Sequence, residues 1–281
     1  MSKRVSPLVV CSGLILLGLV VTAVFAPQVA PHNPTRERLI DRLLPPAWAE
    51  DGGWQYVLGT DHLGRDLLSR IIYGSRVSLV VGFTAVVIGG VLGTALGVIA
   101  GFFGGPSDEI IMALADMQLA FPTILLAIAI IAVLGPSFSN LVFVIGVSGW
   151  VTYARVARGQ VLSLREKEFV EAIRAQGGSR LRIIWRHILP NTLAPLIVVA
   201  TLDLARTIIL ESTLSFLALG IQPPTPSWGG MLSDGREYLL SAWWIATFPG
   251  LALMLTALSF NRLGDWLRDR TDPRLRRAEL R

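Results

Sequence analysis

Six long apolar stretches, at residues 8–26, 77–103, 117–135, 138–154, 193–219 and 242–260, dominate this 281-residue chain. Five of them contain no Asp, Glu, Lys or Arg; the exception, 193–219, carries Asp203, Arg206 and Glu211. About 20 apolar residues wound as a helix cross the hydrocarbon layer of a bilayer. Inside that layer no solvent pairs with backbone N–H and C=O groups, so each stretch must be a helix or part of a closed barrel. A barrel needs ~10-residue segments of alternating polarity, whereas these runs are continuously apolar. The sequence therefore predicts an all-α membrane protein with six transmembrane helices. With 52% hydrophobic and 16% charged residues, a soluble enzyme is a poor description of it.

The first stretch has Lys3 and Arg4 ahead of it and Val24-Phe25-Ala26 at its end, which are features of a secretory signal. Its core is longer than the about 7–15 residues of such signals and five further spans follow, so it is read as the first span. Lys and Arg in short loops stay on the cytoplasmic side. With the N-terminus inside, 17 of the 25 basic residues fall in inner segments and seven in outer ones, with Arg206 inside a span. Both termini are thus expected in the cytoplasm. The basic balance of +5 reflects this topology and gives no reason to invoke nucleic acid.

The second stretch places Gly89, Gly93, Gly97 and Gly101 on one helix face. Overlapping GxxxG units let another backbone approach closely, which is read as packing within the bundle. At ~1.5 Å per residue the stretch is about 40 Å long and must tilt or protrude. Pro122 is expected to bend the third span.

Residues 155–190 are too polar to cross a membrane. Ser163 and Glu166 have the S-x-x-E spacing of a capping box. Phe169, Ala172 and Ile173 follow at i, i+3, i+4, and Gly177-Gly178 supplies a stop. Ser179 can cap a second helix with apolar Ile183, Ile184 and Ile188, ending near Pro190. A short amphipathic helix of this kind either lies on membrane lipid headgroups or inserts into a groove on a partner protein.

The ordered residues Glu171-Ala172, Gly177 and Ile188-Leu189-Pro190 resemble the EAA motif of permease subunits of bacterial binding-protein-dependent ABC importers. Two positions depart from the motif: Ile173 stands for an alanine, and His187 for what is often an aliphatic residue. The resemblance extends to the dipeptide/oligopeptide/nickel branch, C-type permease. It is carried by Leu58-Gly59-Thr60-Asp61, Gly64-Arg65-Asp66, Ser69-Arg70, Tyr73-Gly74 and Arg76-Val77-Ser78-Leu79. Further matches are Ala120-Phe121-Pro122-Thr123, Leu210-Glu211-Ser212, Leu214-Ser215-Phe216-Leu217, Gln222-Pro223-Pro224-Thr225-Pro226-Ser227-Trp228-Gly229 and Asp272-Pro273-Arg274-Leu275.

The resemblance implies a type I ABC importer permease fold in the bacterial inner membrane. Residues 1–26 would form the N-terminal tail and first helix, 27–76 an extracytoplasmic loop, and 77–260 a five-helix core with a cytoplasmic coupling loop at 155–192. Residues 261–281 would be a basic cytoplasmic tail. Glu171, Ala172, Ile173, Gly177, Leu189 and Pro190 become the expected ATPase-coupling residues. The implied partners are a homologous permease subunit, two ABC ATPase subunits and an extracytoplasmic solute-binding protein.

The chain has two lysines, Lys3 and Lys167, and neither follows a glycine, so the phosphate loop G-x-x-x-x-G-K-[ST] cannot be written in it. No catalytic residue and no cofactor are therefore assigned to this chain; ATP and Mg are expected on the partner ATPase subunits. Cys11 is the sole cysteine, and His32, His62 and His187 are scattered, so no metal site is expected and a nickel site within the chain is disfavoured.

Asp203, Arg206 and Glu211 are costly in hydrocarbon and must face a partner or water. On a helical wheel Arg206 lies about 60° to one side of Asp203 and Glu211 about 80° to the other. They either line a translocation path or pair structurally, Asp203 with Arg206 and Glu211 with a neighbouring helix. The function expected is ATP-driven import of dipeptides, oligopeptides or a related small solute by alternating access. A nickel-type permease of the same branch is the alternative, and an ion-gradient-driven secondary transporter the alternative from another class.

Overall fold

The structure, a computed structural model, describes residues 6–271; Lys3, Arg4 and the 272–275 motif lie outside the described residues. The helices run in order α1 Pro7–Val24, α2 Ala26–Val29, α3 Leu67–Phe103, α4 Gly105–Leu119, α5 Thr123–Leu134, α6 Phe138–Arg165, α7 Glu168–Ala175 and α8 Arg180–Ile183. After a π-helical turn at Ile184–Ile188 come α9 Leu189–Phe216, α10 Trp228–Gly235 and α11 Trp244–Thr271. Among the described residues there is no strand, only an isolated bridge between Thr60 and Asp66.

Among the described residues five helices are long and apolar enough to cross a membrane: Pro7–Val24, Leu67–Phe103, Phe138–Arg165, Arg180–Phe216 and Trp244–Thr271. A sixth crossing is available only as the bent pair α4 and α5, which meet at 88°. The expected third span at 117–135 is therefore not one helix with a proline kink. Leu119 ends α4, and Pro122 stands immediately before α5, its carbonyl accepting the first helical bond from the Leu126 N–H at 3.0 Å. Proline suits the start of a helix, where its missing N–H costs nothing, better than the middle. Most of helix α4, residues 105–116, lies outside the expected spans.

The chain divides into two compact units. One comprises residues 6–83 with 128–142 and 204–263. Its core is Leu67, Trp228, Met231, Ala242, Trp244 and Ile245, and the long loop 27–66 is sewn to it. The Trp244 indole N–H donates to the Thr60 carbonyl at 3.0 Å, and the Trp228 indole N–H to the Ile71 carbonyl at 3.0 Å. Asp61 accepts from the Leu63 and Arg65 amides and from Arg65 Nε at 2.7 Å. Asp66 caps α3, accepting from the Ser69 amide at 2.9 Å. The Leu58–Arg70 sequence is thus a folded loop whose charged residues bind one another. Tyr56, buried and donating to Asp41 Oδ2 at 2.9 Å, is pushed above the usual tyrosine range, by burial first and by Asp41 second. Arg76 donates from Nε to the Ala23 carbonyl and from Nη2 to the Val24 carbonyl, both at 3.0 Å, closing the end of α1.

The other unit holds 84–127, 143–203 and 264–271 of the described residues. Its central contact is the glycine face of α3 laid on α6. A Cβ on Gly89 would come within 2.7 Å of the Gly146 carbonyl oxygen and one on Gly101 within 2.9 Å of Val161 Cβ; one on Gly93 would run into the Trp150 carbonyl oxygen. The packing role read from GxxxG is what the structure shows.

Candidate coupling hairpin and intramembrane polar sites

Residues 155–165 do not form a loop, because α6 continues through them to Arg165. Three arginines hold this extension in place. Arg158 grips Asp108 of α4 through Nε at 2.5 Å and Nη2 at 2.6 Å, and Arg155 Nη2 reaches Asp116 Oδ1 at 2.5 Å. Arg165 Nη1 donates to the Gly101 carbonyl at 2.9 Å. Gln118 adds a fourth link, accepting from the Trp150 indole N–H and donating to the Ser148 carbonyl, both at 2.7 Å. Ser163 therefore lies inside a helix, and the expected capping box with Glu166 is not made; α7 begins at Glu168 behind Lys167 with no side-chain cap. Asp108, Asp116, Gln118, Arg155 and Arg158 carry no signal of this in the sequence, since nothing in their spacing links positions about 30 to 50 residues apart.

The end of α7 follows the expected stop. The Gly178 N–H donates to the Ile173 carbonyl at 2.9 Å and the Gly177 N–H to the Arg174 carbonyl at 3.0 Å, the two bonds of a Schellman cap. Gly177 has φ +81°, open to glycine and strained for other residues. Gly178 is needed for a different reason: a Cβ there would sit 2.5 Å from Ile173 Cγ2. Ser179 then caps α8, accepting from the Arg182 N–H at 3.4 Å, as expected.

The buried side of α7 differs from the expectation. Val170 is 0% exposed and Ile173 is half-buried, whereas Phe169 is 41% exposed and Ala172 is exposed as well. The i, i+3, i+4 set was correct in period but rotated, because Val170 and the Ile173–Gly178 contact fix the inward side. Glu171, Ala172 and Gly177 all face outward. On α8 and the π turn, Ile183, Ile184 and Ile188 are buried as expected. The π turn ends at Leu189-Pro190. Pro190 has no N–H for the ladder, and beside it the Asn191 side-chain amide donates from Nδ2 to the His187 carbonyl at 2.6 Å.

The charged residues of α9 occupy three different settings. Tyr153 Oη donates to Asp203 Oδ2 at 3.0 Å. Arg206 is exposed. Glu211 is 0% exposed and accepts from three hydroxyls: Ser215 Oγ at 2.8 Å, Ser212 Oγ at 3.2 Å and Ser78 Oγ of α3 at 3.2 Å. Among the described residues no group of three or more His, Cys, Asp or Glu gathers as it would around a metal.

Residues 93–277, which include the whole hairpin, match the family described as binding-protein-dependent transport system inner membrane component; residues 4–46 match the N-terminal TM domain of oligopeptide transport permease C. The dipeptide transport system permease protein DppC of Escherichia coli is 46% identical over 265 residues, 94% of this chain and 88% of that protein. The di/tripeptide transport system permease protein DppC of Pseudomonas aeruginosa is 45% identical over 265 residues, with 94% and 88% covered. Among solved structures, a chain of the MetNI methionine ABC transporter in inward-facing conformations superposes with a TM-score of 0.59 at 18% identity, covering 72% of this chain and 96% of that one. Apolar helices, hairpin and sequence agree: the chain belongs to the binding-protein-dependent transport system inner membrane component family, as a multi-pass inner-membrane permease component of an ABC importer.

Proposed function

We propose that the chain is one permease of a peptide importer and that its α7–α8 hairpin is the cytoplasmic docking point for an ATPase subunit. The carrying observation is the hairpin itself, a Schellman-capped turn with Glu171, Ala172 and Gly177 turned outward and an apolar face already satisfied by its own unit. Outward Phe169 and Ala172 add apolar surface for a partner's cleft. The peptide substrate is inferred from the relatives, which are named for dipeptides and di/tripeptides.

The energy source on this reading is a pair of ATPase subunits carrying ATP and Mg, with a second, homologous permease and an extracytoplasmic solute-binding protein completing the importer. Both termini of this chain lie in the cytoplasm. Closure of the two ATPases moves the docked hairpins, and the continuous helical path from hairpin through the π turn into α9 passes the movement on. Linkage makes the effect reciprocal: a loaded permease favours the same ATPase arrangement that nucleotide favours. Asp203, Arg206 and Glu211 then divide by setting. Sealed Glu211 is structural, and Asp203 and Arg206 remain the candidates for the path.

The test is co-purification with the ATPase subunit together with peptide uptake. Gly177→Val, which cannot adopt φ +81° without strain, should keep the permease in the membrane while uptake and ATPase retention fall at least tenfold. Unchanged retention and uptake in that variant would overturn the docking assignment.

A further inference from the structure

Among the described residues, some arginines of the second unit are paired and others are not. Arg155, Arg158 and Arg165 each engage a carboxylate or a carbonyl, as described above. Arg174 and Arg180 form no ion pair among the described residues, although Glu168 and Glu171 lie on the same hairpin. Instead both line a cavity of about 460 Å³ with Phe102, Phe103, Gly178 and Ile183. The Arg174 guanidinium carbon stands 5.7 Å from the Phe102 ring centroid, a cation–π contact.

The cavity lies at the end of the second apolar stretch. Phe102 and Phe103 are the last residues of α3, and the apolar stretch stops there at Gly104 and Gly105, both with positive φ. On the cytoplasmic placement of the hairpin, two guanidiniums stand at the inner end of the second span. Phe103 is 48% exposed, and Trp185, beyond α8, is 68% exposed, the side chains that interfacial regions favour. Basic pockets at the cytoplasmic ends of membrane helices bind anionic headgroups.

We propose that this cavity is a binding site for the phosphate of an anionic lipid in the adjoining leaflet, with Arg174 and Arg180 as its cationic walls and Phe103 against the acyl chain. The inference rests on the cytoplasmic placement of the hairpin proposed above. A lipid bound there braces the turn at Gly178 against the end of α3, so that the bilayer becomes part of the hairpin's support.

The experiment is native mass spectrometry of the assembled permease–ATPase complex, released from detergent carrying phosphatidylglycerol or phosphatidylcholine, with inorganic phosphate at millimolar concentration in a third arm. Selective retention of phosphatidylglycerol, weakened about fivefold by each of Arg174→Gln and Arg180→Gln and unaltered by Arg182→Gln outside the cavity, is the expected result. Arg180→Gln leaves the Arg174–Phe102 contact in place, so its effect does not depend on the fold of the turn. Equal retention in wild type and variants, equal retention of phosphatidylcholine, or displacement of the lipid by inorganic phosphate overturns the proposal. Orientation is read separately, by labelling Gln176→Cys in a Cys11→Ser background from either side of the membrane. Labelling from outside sinks the docking reading without altering the lipid measurement.

Discussion

Glu211 illustrates how a single side chain in a membrane span is decided by its neighbours. The sequence left it either lining a path or bonding to another helix, and in the structure Ser78, Ser212 and Ser215 surround it. Removing the carboxyl strands buried hydroxyls that have few other partners, a cost of about 1–3 kcal/mol for each group left unpaired. Glu211→Ala should therefore lower the midpoint of thermal unfolding in detergent markedly, and Glu211→Gln, which retains an acceptor, should lower it less. Equal losses in the two variants would mean that volume and not hydrogen bonding matters there. Gly177 is the second residue of this kind. Its φ of +81° sets a cost of about 1–2 kcal/mol for any L side chain, so Gly177→Asn, tolerant of that region, should retain more uptake than Gly177→Val.

At the scale of elements, the apolar helices and the hairpin's stop and cap were legible because their signals are local: run length, a glycine after a periodic stretch, a serine before one. What escaped was whatever depends on a distant partner. The extension of α6 to Arg165 is held by Asp108, Asp116 and Gly101, none of which is near it in sequence, and helix α4 owes its place to those same bonds. The inward side of α7 was misassigned for a related reason. An eight-residue helix carries too few positions for its period to fix its rotation, and packing by Val170 settles it. The packed face of α3 and α6 makes its own prediction. Gly93→Leu places a side chain where the Trp150 carbonyl lies and should abolish accumulation of the protein in the membrane, measured by immunoblot. Gly159→Ala on α6, where a Cβ would meet nothing within 4 Å, should be neutral or stabilising by up to about 1 kcal/mol. A double-mutant cycle on Asp108 and Arg158, a two-bond ion pair, should return a coupling of about 1.5–3 kcal/mol.

For the molecule as a whole, the family is shown, together with five or six helical spans among the described residues. On the proposed arrangement, peptide uptake in intact cells should cease when the partner ATPase is inactivated and persist when the proton gradient is collapsed with ATP maintained. The opposite pattern would favour an ion-driven carrier. The interruption between α4 and α5 carries a separate consequence. Phe121 is 62% exposed there and Pro122 is exposed too, in the middle of an apolar stretch where the ladder of backbone bonds is broken. A 12-residue helix such as α5 reaches only about 18 Å at 1.5 Å per residue, too short to traverse the oily layer unaided. Amide groups in such a gap cannot tolerate acyl chains and persist only against water or a neighbouring polypeptide. With α4 and α5 taken as the sixth crossing, the flank of this subunit that bears the gap is one that lipid does not wet.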